Sequence, residues 1–208
     1  MRPIGLEDVL GRERYGQARD AIRRRLIEHK RSRRVPVGDR LSLVFEDLAT
    51  VWYQTQEMLW VEHITDLDAI RDELAIYNEL LPDERALAAT LFVEVPEQSD
   101  LREEFQRLVG LDRHLGLAVG GTTVLAIFEG GRQTDDKISA VQYVRFPLDA
   151  EAAERLGAGV PVAVVVDHPR YQARVLLSDA VRASVVTSFL DAAAADRDLR
   201  RVRDGEAS

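Results

Sequence analysis

Cysteine is absent from all 208 residues. That excludes a disulfide scaffold, a thiolate zinc site, an iron–sulfur cluster held by this chain and a cysteine nucleophile. Lysine is scarce as well: of 28 basic residues, only Lys30 and Lys137 are not arginine. Long apolar runs are missing. The longest, 160–166, falls far short of the ~20 residues a membrane helix needs. Arg2, Glu7, Asp8 and Arg12 interrupt any apolar stretch near the start, so no signal peptide is expected. Together these absences point to a soluble, cytoplasmic protein. Several catalytic signatures are also missing. The chain has no Gly-x-Ser-x-Gly, no His-x-x-x-His and no His-Glu-x-x-His. The glycine pairs at 120–121 and 130–131 match neither a phosphate loop nor a dinucleotide fingerprint.

What is present is enough apolar surface for a proper core, at 46% of residues, and a charged fraction of 31%. Charge is spread unevenly. Residues 1–40 hold 12 basic against 6 acidic side chains, whereas residues 41–208 hold 16 against 30. Between 46 and 104 there are 16 acids, and the only bases are Arg71, Arg85 and Arg102. Two such segments attract each other, within one fold or across a homo-oligomer, and a dimer is expected.

Periodicity sets the elements. Ala18, Ile22, Leu26 and Ile27 keep helical spacing within 6–31, with arginines opposite. Pro36 and Gly38 break that helix. Residues 41–46 alternate as a strand. Asp47 is placed to N-cap a helix over 49–63, and Thr65 or Asp66 a second one. Leu67, Ile70, Leu74, Tyr77 and Leu81 trace one stripe of that second helix, which Pro82 ends. Strands are expected at 87–95, 114–119, 122–129, 139–146, 160–166 and 171–177. Gly120-Gly121 marks a tight hairpin, and 129–136 a longer polar loop. Short helices fall at 100–109 and 150–156, and a last one runs from Asp179 to Leu190. The predicted class is α+β, a mostly antiparallel meandering sheet with helices packed to one side. One domain is expected over 6–190, followed by a frayed, charged tail over 191–208.

Glu46, Gln54, Gln56, Glu57, Glu62, His63, Glu73, Asn78, Glu79 and Glu94 lie among apolar residues, where polar groups are either internally paired or functional. Glu57, Glu62, His63 and Glu79 are the candidate metal ligands, because two antiparallel helices would converge carboxylates and an imidazole on iron, manganese or zinc. Their spacing departs from the Glu-x-x-His of di-iron bundles. Glu62 and His63 are adjacent and point about 100° apart on a helix. The competing reading is a solvated acidic face. Glu46 and Glu94 are expected to pair with Arg145 across strands. Asp167-His168 offers a general base oriented by a carboxylate, set against a hairpin corner fixed by Pro169. Arg19, Arg23, Arg24, Arg25, Lys30, Arg31, Arg33 and Arg34 are the nucleic-acid candidates. They spread around the helix without interleaved aromatics, so nucleic acid is not the expected partner.

Several blocks in order carry a resemblance: RVPVG at 34–38, QTQEM at 54–58, ELAIYNELLP at 73–82, ATLFVE at 89–94, ISAVQYVRF at 138–146 and DHP at 167–169. They resemble a bacterial family catalogued as domain of unknown function 3501. The resemblance covers roughly residues 6 to 190 and implies a single full-length domain. It brings no established activity and no catalytic residues. It also implies gene neighbours of rubrerythrin-like and iron–sulfur type, and hence a protein partner in peroxide or redox stress. Any iron–sulfur cluster would sit on that partner. The leading expectation is a non-enzymatic accessory protein in a redox or metal-stress system. The alternative is a carboxylate/histidine metalloprotein with hydrolase or oxidase activity, and a third is a nucleic-acid binder.

Overall fold

The structure is a computed structural model that describes residues 1–94, 100–129 and 139–205. The chain divides into two compact units. One comprises Met1–Ser32, Glu46–Glu84 and Thr187–Ser208, the other Arg33–Phe45 and Arg85–Val186. The fold is α+β with antiparallel sheets, as the periodicity predicts.

The first unit is helical. It holds α1 (Arg12–Arg31), α2 (Leu48–Val61), α3 (Leu67–Asn78) and α7 (Ala192–Asp204). Helix α2 is central: α1, α3 and α7 all pack on it. Asp47 starts α2 as predicted. Its carboxylate accepts from the Thr50 amide at 2.9 Å, and Thr50 Oγ1 accepts from the Asp47 amide at 2.8 Å, a reciprocal capping box. Tyr15, Ile22 and Leu26 of α1 meet Leu48, Val51, Trp52 and Leu59 of α2 in one apolar cluster, which Ile70, Leu74, Leu199 and Val202 complete. Two of the conspicuous polar residues serve the first ten residues. Gln56 pairs with both backbone groups of Leu10, and Asn78 with both of Ile4. Each side-chain amide replaces a strand partner that this segment lacks.

Residues from 191 on do not fray where they are described. Asp191 caps α7, and Ala194, Ala195, Leu199 and Val202 are buried. Alanine richness and charge suggested a tail, but the 195–199–202 spacing is that of a docked helix. Arg25 of α1 holds its far end by donating to the carbonyls of Val202 and Arg203.

The second unit carries the strands. The expected meander is two sheets. One is ordered β1 (Arg34–Val37), β2 (Leu41–Phe45), β3 (Ala86–Val93), β7 (Val141–Pro147) and β6 (Ile127–Phe128). The other is ordered β5 (Thr122–Leu125), β4 (Leu115–Val119), β8 (Val162–His168) and β9 (Tyr171–Leu176). The residues of the strand expected over 122–129 bend at Ala126, whose amide donates to Leu115. Their first half joins one sheet and their second half the other. Strand β1 contains Pro36, a residue expected to break the preceding helix. It is an edge strand of its sheet, where a missing amide is tolerated. The turn after it holds Gly38 at φ 69°, where a Cβ would fall 2.2 Å from the Tyr171 hydroxyl. That hydroxyl donates to Val37 O at 2.5 Å and accepts from the Arg40 amide at 3.2 Å, tying β9 to the β1–β2 turn. Helices α4 (Leu101–Arg107) and α5 (Ala150–Gly157) belong to this unit, and α6 (Asp179–Leu190) contributes residues to both units. The strand end at 95, its stop at Pro96 and the polar loop at 130–136 lie outside the described residues. Among the described residues no helix is long and apolar enough to cross a membrane.

Candidate functional site

The four predicted metal ligands go to different tasks. Glu57, on α2, faces α1. Arg19 grips its carboxylate through Nε at 2.8 Å and Nη2 at 2.7 Å, and the Tyr15 hydroxyl donates to it at 2.5 Å. Arg19 holds the Glu57 carboxyl below its ordinary range, against burial, with further help from Tyr15. Burial and the same carboxylate push the Tyr15 phenol up. Beside this pair the Arg12 guanidinium stacks 4.3 Å from the centre of the Trp60 ring and donates to Trp60 O at 2.8 Å. Gly16 lets the indole approach, since a Cβ there would lie 2.7 Å from it. A small cleft of about 110 Å³ opens here, lined by Leu10, Arg12, Gln56, Leu59, Trp60 and Ile70 among others.

Glu62 and His63 end α2 and are exposed. His63 is the sole non-glycine at positive φ, 57°, among the described residues. Its amide donates to Trp60 O, and the Ile64 amide to Leu59 O. That is a Schellman termination with histidine where glycine is usual. Glu79 caps the end of α3 and is exposed. The structure therefore does not gather Glu57, Glu62, His63 and Glu79 into a ligand set.

It gathers a different group. Ligand atoms of His29, Asp47 and Asp198 lie within 4.8 Å of one another, the one such trio among the described residues. His29 and Asp47 side chains are 2% and 0% exposed, and Nε2 sits 2.7 Å from Asp47 Oδ2. Arg201 Nη2 donates to His29 Nδ1 at 3.2 Å, which places the imidazole proton on Nε2, where it donates to Asp47. The same guanidinium pairs with Asp198 at 3.2 Å. Arg201 thus stands as a tethered cation against two of the three groups a metal would use. No local spacing signals this cluster. Asp47 is legible only as a cap, and Asp198 and Arg201 lie in the expected tail.

The remaining candidates resolve as follows. Glu94 takes Arg34 as its ion-pair partner, not Arg145, and Ser42 Oγ donates to it at 2.5 Å. The register explains the change. Arg145 lies opposite Ala88 on β3, six residues from Glu94, whereas Ser42 of β2 is paired with Phe92. Glu46 accepts from Gln54 at 3.0 Å. His168 is a corner. Its Nδ1 accepts from the Arg170 amide at 3.2 Å, leaving Nε2–H for Val109 O at 3.0 Å. Asp167, its proposed orienter, contacts Gln172 at 3.4 Å instead. The basic candidates disperse too. Arg19, Arg25 and Arg34 are committed as above, Arg33 is buried and bonded to Phe45 O and Ser184, and Arg31 pairs with Glu28.

Residues 3–189 match the family described as "Protein of unknown function (DUF3501)". The chain belongs to the DUF3501 family. A crystal structure described as a novel protein of unknown function from Burkholderia pseudomallei K96243 is similar over 90% of this chain and 99% of that one, at 35% identity and a TM-score of 0.83. No curated protein gives a match.

Two outcomes follow for this DUF3501 protein. Replacing His63 by glycine relieves the left-handed backbone and raises stability by about 0.5–1 kcal/mol in urea unfolding. A loss of stability would mean that the imbalance at this residue is not conformational. For Glu57, the folded carboxyl binds its proton more weakly than the unfolded one. The pair's stabilisation is therefore full above the ordinary value of 4.5 and lost as pH falls through the lower folded value. Arg19→Met lowers stability at neutral pH and moves the acid-unfolding midpoint, followed by circular dichroism, to higher pH. An unchanged midpoint would contradict the pairing.

Proposed function

We propose that this DUF3501 protein is a cytoplasmic, non-enzymatic accessory protein that binds a partner in a redox, peroxide or metal-stress system. One observation carries the reading. Buried and half-buried ionisable side chains of the helical unit are engaged within the fold: Glu57 with Arg19 and Tyr15, His29 with Asp47 and Arg201, Asp8 with Arg2, and Glu46 with Gln54. A general base or nucleophile needs lone pairs or a proton free for substrate, and these groups spend theirs on structure. The family resemblance supplies the partner class, a rubrerythrin-like or iron–sulfur protein. Affinity capture from the native host with the full chain tests this. A protein of that class should be retained at low salt and lost as salt screens the contact. Retention of nothing above a control bait would overturn it.

A second reading is favoured by the His29–Asp47–Asp198 trio. In it the protein is a carboxylate/histidine metalloprotein that takes manganese, iron or zinc when Arg201 swings out. Arg201 lies on the surface side of α7, so the movement is sterically simple. Arg201→Ala should then bind one equivalent of added metal by calorimetry at least tenfold more tightly than the wild type. Equal and negligible uptake by both proteins would remove this reading.

A further inference from the structure

Two helices of the first unit each present an exposed isoleucine inside a ring of charge, and the rings have opposite sign. On α1, Ile27 is 53% exposed. Its helical neighbours at i−4, i−3, i+3 and i+4 are Arg23, Arg24, Lys30 and Arg31. On α3, Ile76 is 60% exposed. Asp72, Glu73 and Glu79 occupy i−4, i−3 and i+3 around it. Arg31 pairs with Glu28 at 2.6 Å, and Arg23 lies close enough to lower the Glu57 carboxyl. Arg24 and Lys30, and likewise Asp72 and Glu73, have no ion-pair partner among the described residues.

A single exposed isoleucine is ordinary. Four like charges around one concentrate potential of a single sign on that part of the helix. A surface of opposite sign complements it. Both rings are built on the same chain, four bases on α1 and three acids around the end of α3, each with an isoleucine at its centre. We infer that a second copy of this chain docks here, the basic face of α1 in one copy against the acidic face of α3 in the other. The isoleucines fill the dry centre and the charges form the rim, which is the usual anatomy of a protein contact. The contact is small, so it is weak and sensitive to salt. This inference is independent of the accessory and metal readings above.

The test is sedimentation equilibrium on the full-length protein. At about 50 mM salt the average mass should exceed that of the monomer, and raising salt to about 500 mM should weaken association at least about tenfold. Arg24→Glu alone and Glu73→Arg alone should each abolish association at low salt. Mixing the two single variants re-creates one matched charge pair in each mixed dimer and should restore hetero-association. Both substitutions are on exposed or half-buried helix positions, and circular dichroism verifies that each variant is folded. A monomer at every concentration overturns the inference, as does self-association indifferent to either reversal. If the wild type stays monomeric yet retards DNA or RNA at low salt through Arg24, the α1 face belongs to nucleic acid and the inference is again overturned.

Discussion

A carboxylate with no access to water must be fully paired, and Asp47 is the point where the helical unit meets that constraint. One oxygen caps the start of α2 and the other accepts from His29 of α1. The imidazole passes the demand on, because its second nitrogen needs a donor and finds it in Arg201 of α7. Three helices far apart in sequence are thereby fixed by one chain of hydrogen bonds through a buried charge. Removing a single member leaves an unpaired polar group in a dry place, which is more damaging than never having built the pair. The same logic repeats at smaller scale where Glu57 joins α2 to α1 and where Asp8 joins the first residues to Arg2 and Arg203.

Local signals were legible in the sequence, and contacts between distant segments were not. Asp47 and Asp66 cap the helices that follow them, as their positions predict. The Gly120-Gly121 hairpin, with both residues at positive φ, joins β4 and β5. Such features depend on a few neighbouring residues. The division of the strands into two sheets depends on Ala126, an unremarkable residue whose amide is drawn to Leu115. The candidate site suffered most. Glu57 was rightly singled out as a polar group in an apolar setting, but its partners lie 38 and 42 residues upstream. The His29–Asp47–Arg201 chain spans 172 residues between its ends, and no spacing rule reaches that far.

The charge layout takes on physical meaning once the pairs are known. Much of the basic N-terminal segment is spent inside the units: Arg19 on a carboxylate, Arg25 on the carbonyls that end α7, Arg33 on backbone and hydroxyl oxygens. Arginine suits this work, since its planar fork satisfies several acceptors at once and stays charged when buried. Among the exposed charges, bases outnumber acids on α1 and acids outnumber bases on α3.

The most direct measurement is a double-mutant cycle between Asp47 and His29 by urea unfolding, using Asp47→Asn, which keeps the helix cap, and His29→Gln. If the buried pair holds the helical unit together, the two losses are strongly non-additive, with a coupling of about 1–3 kcal/mol. Losses that simply add would contradict the account, because the two side chains would then be stabilised separately.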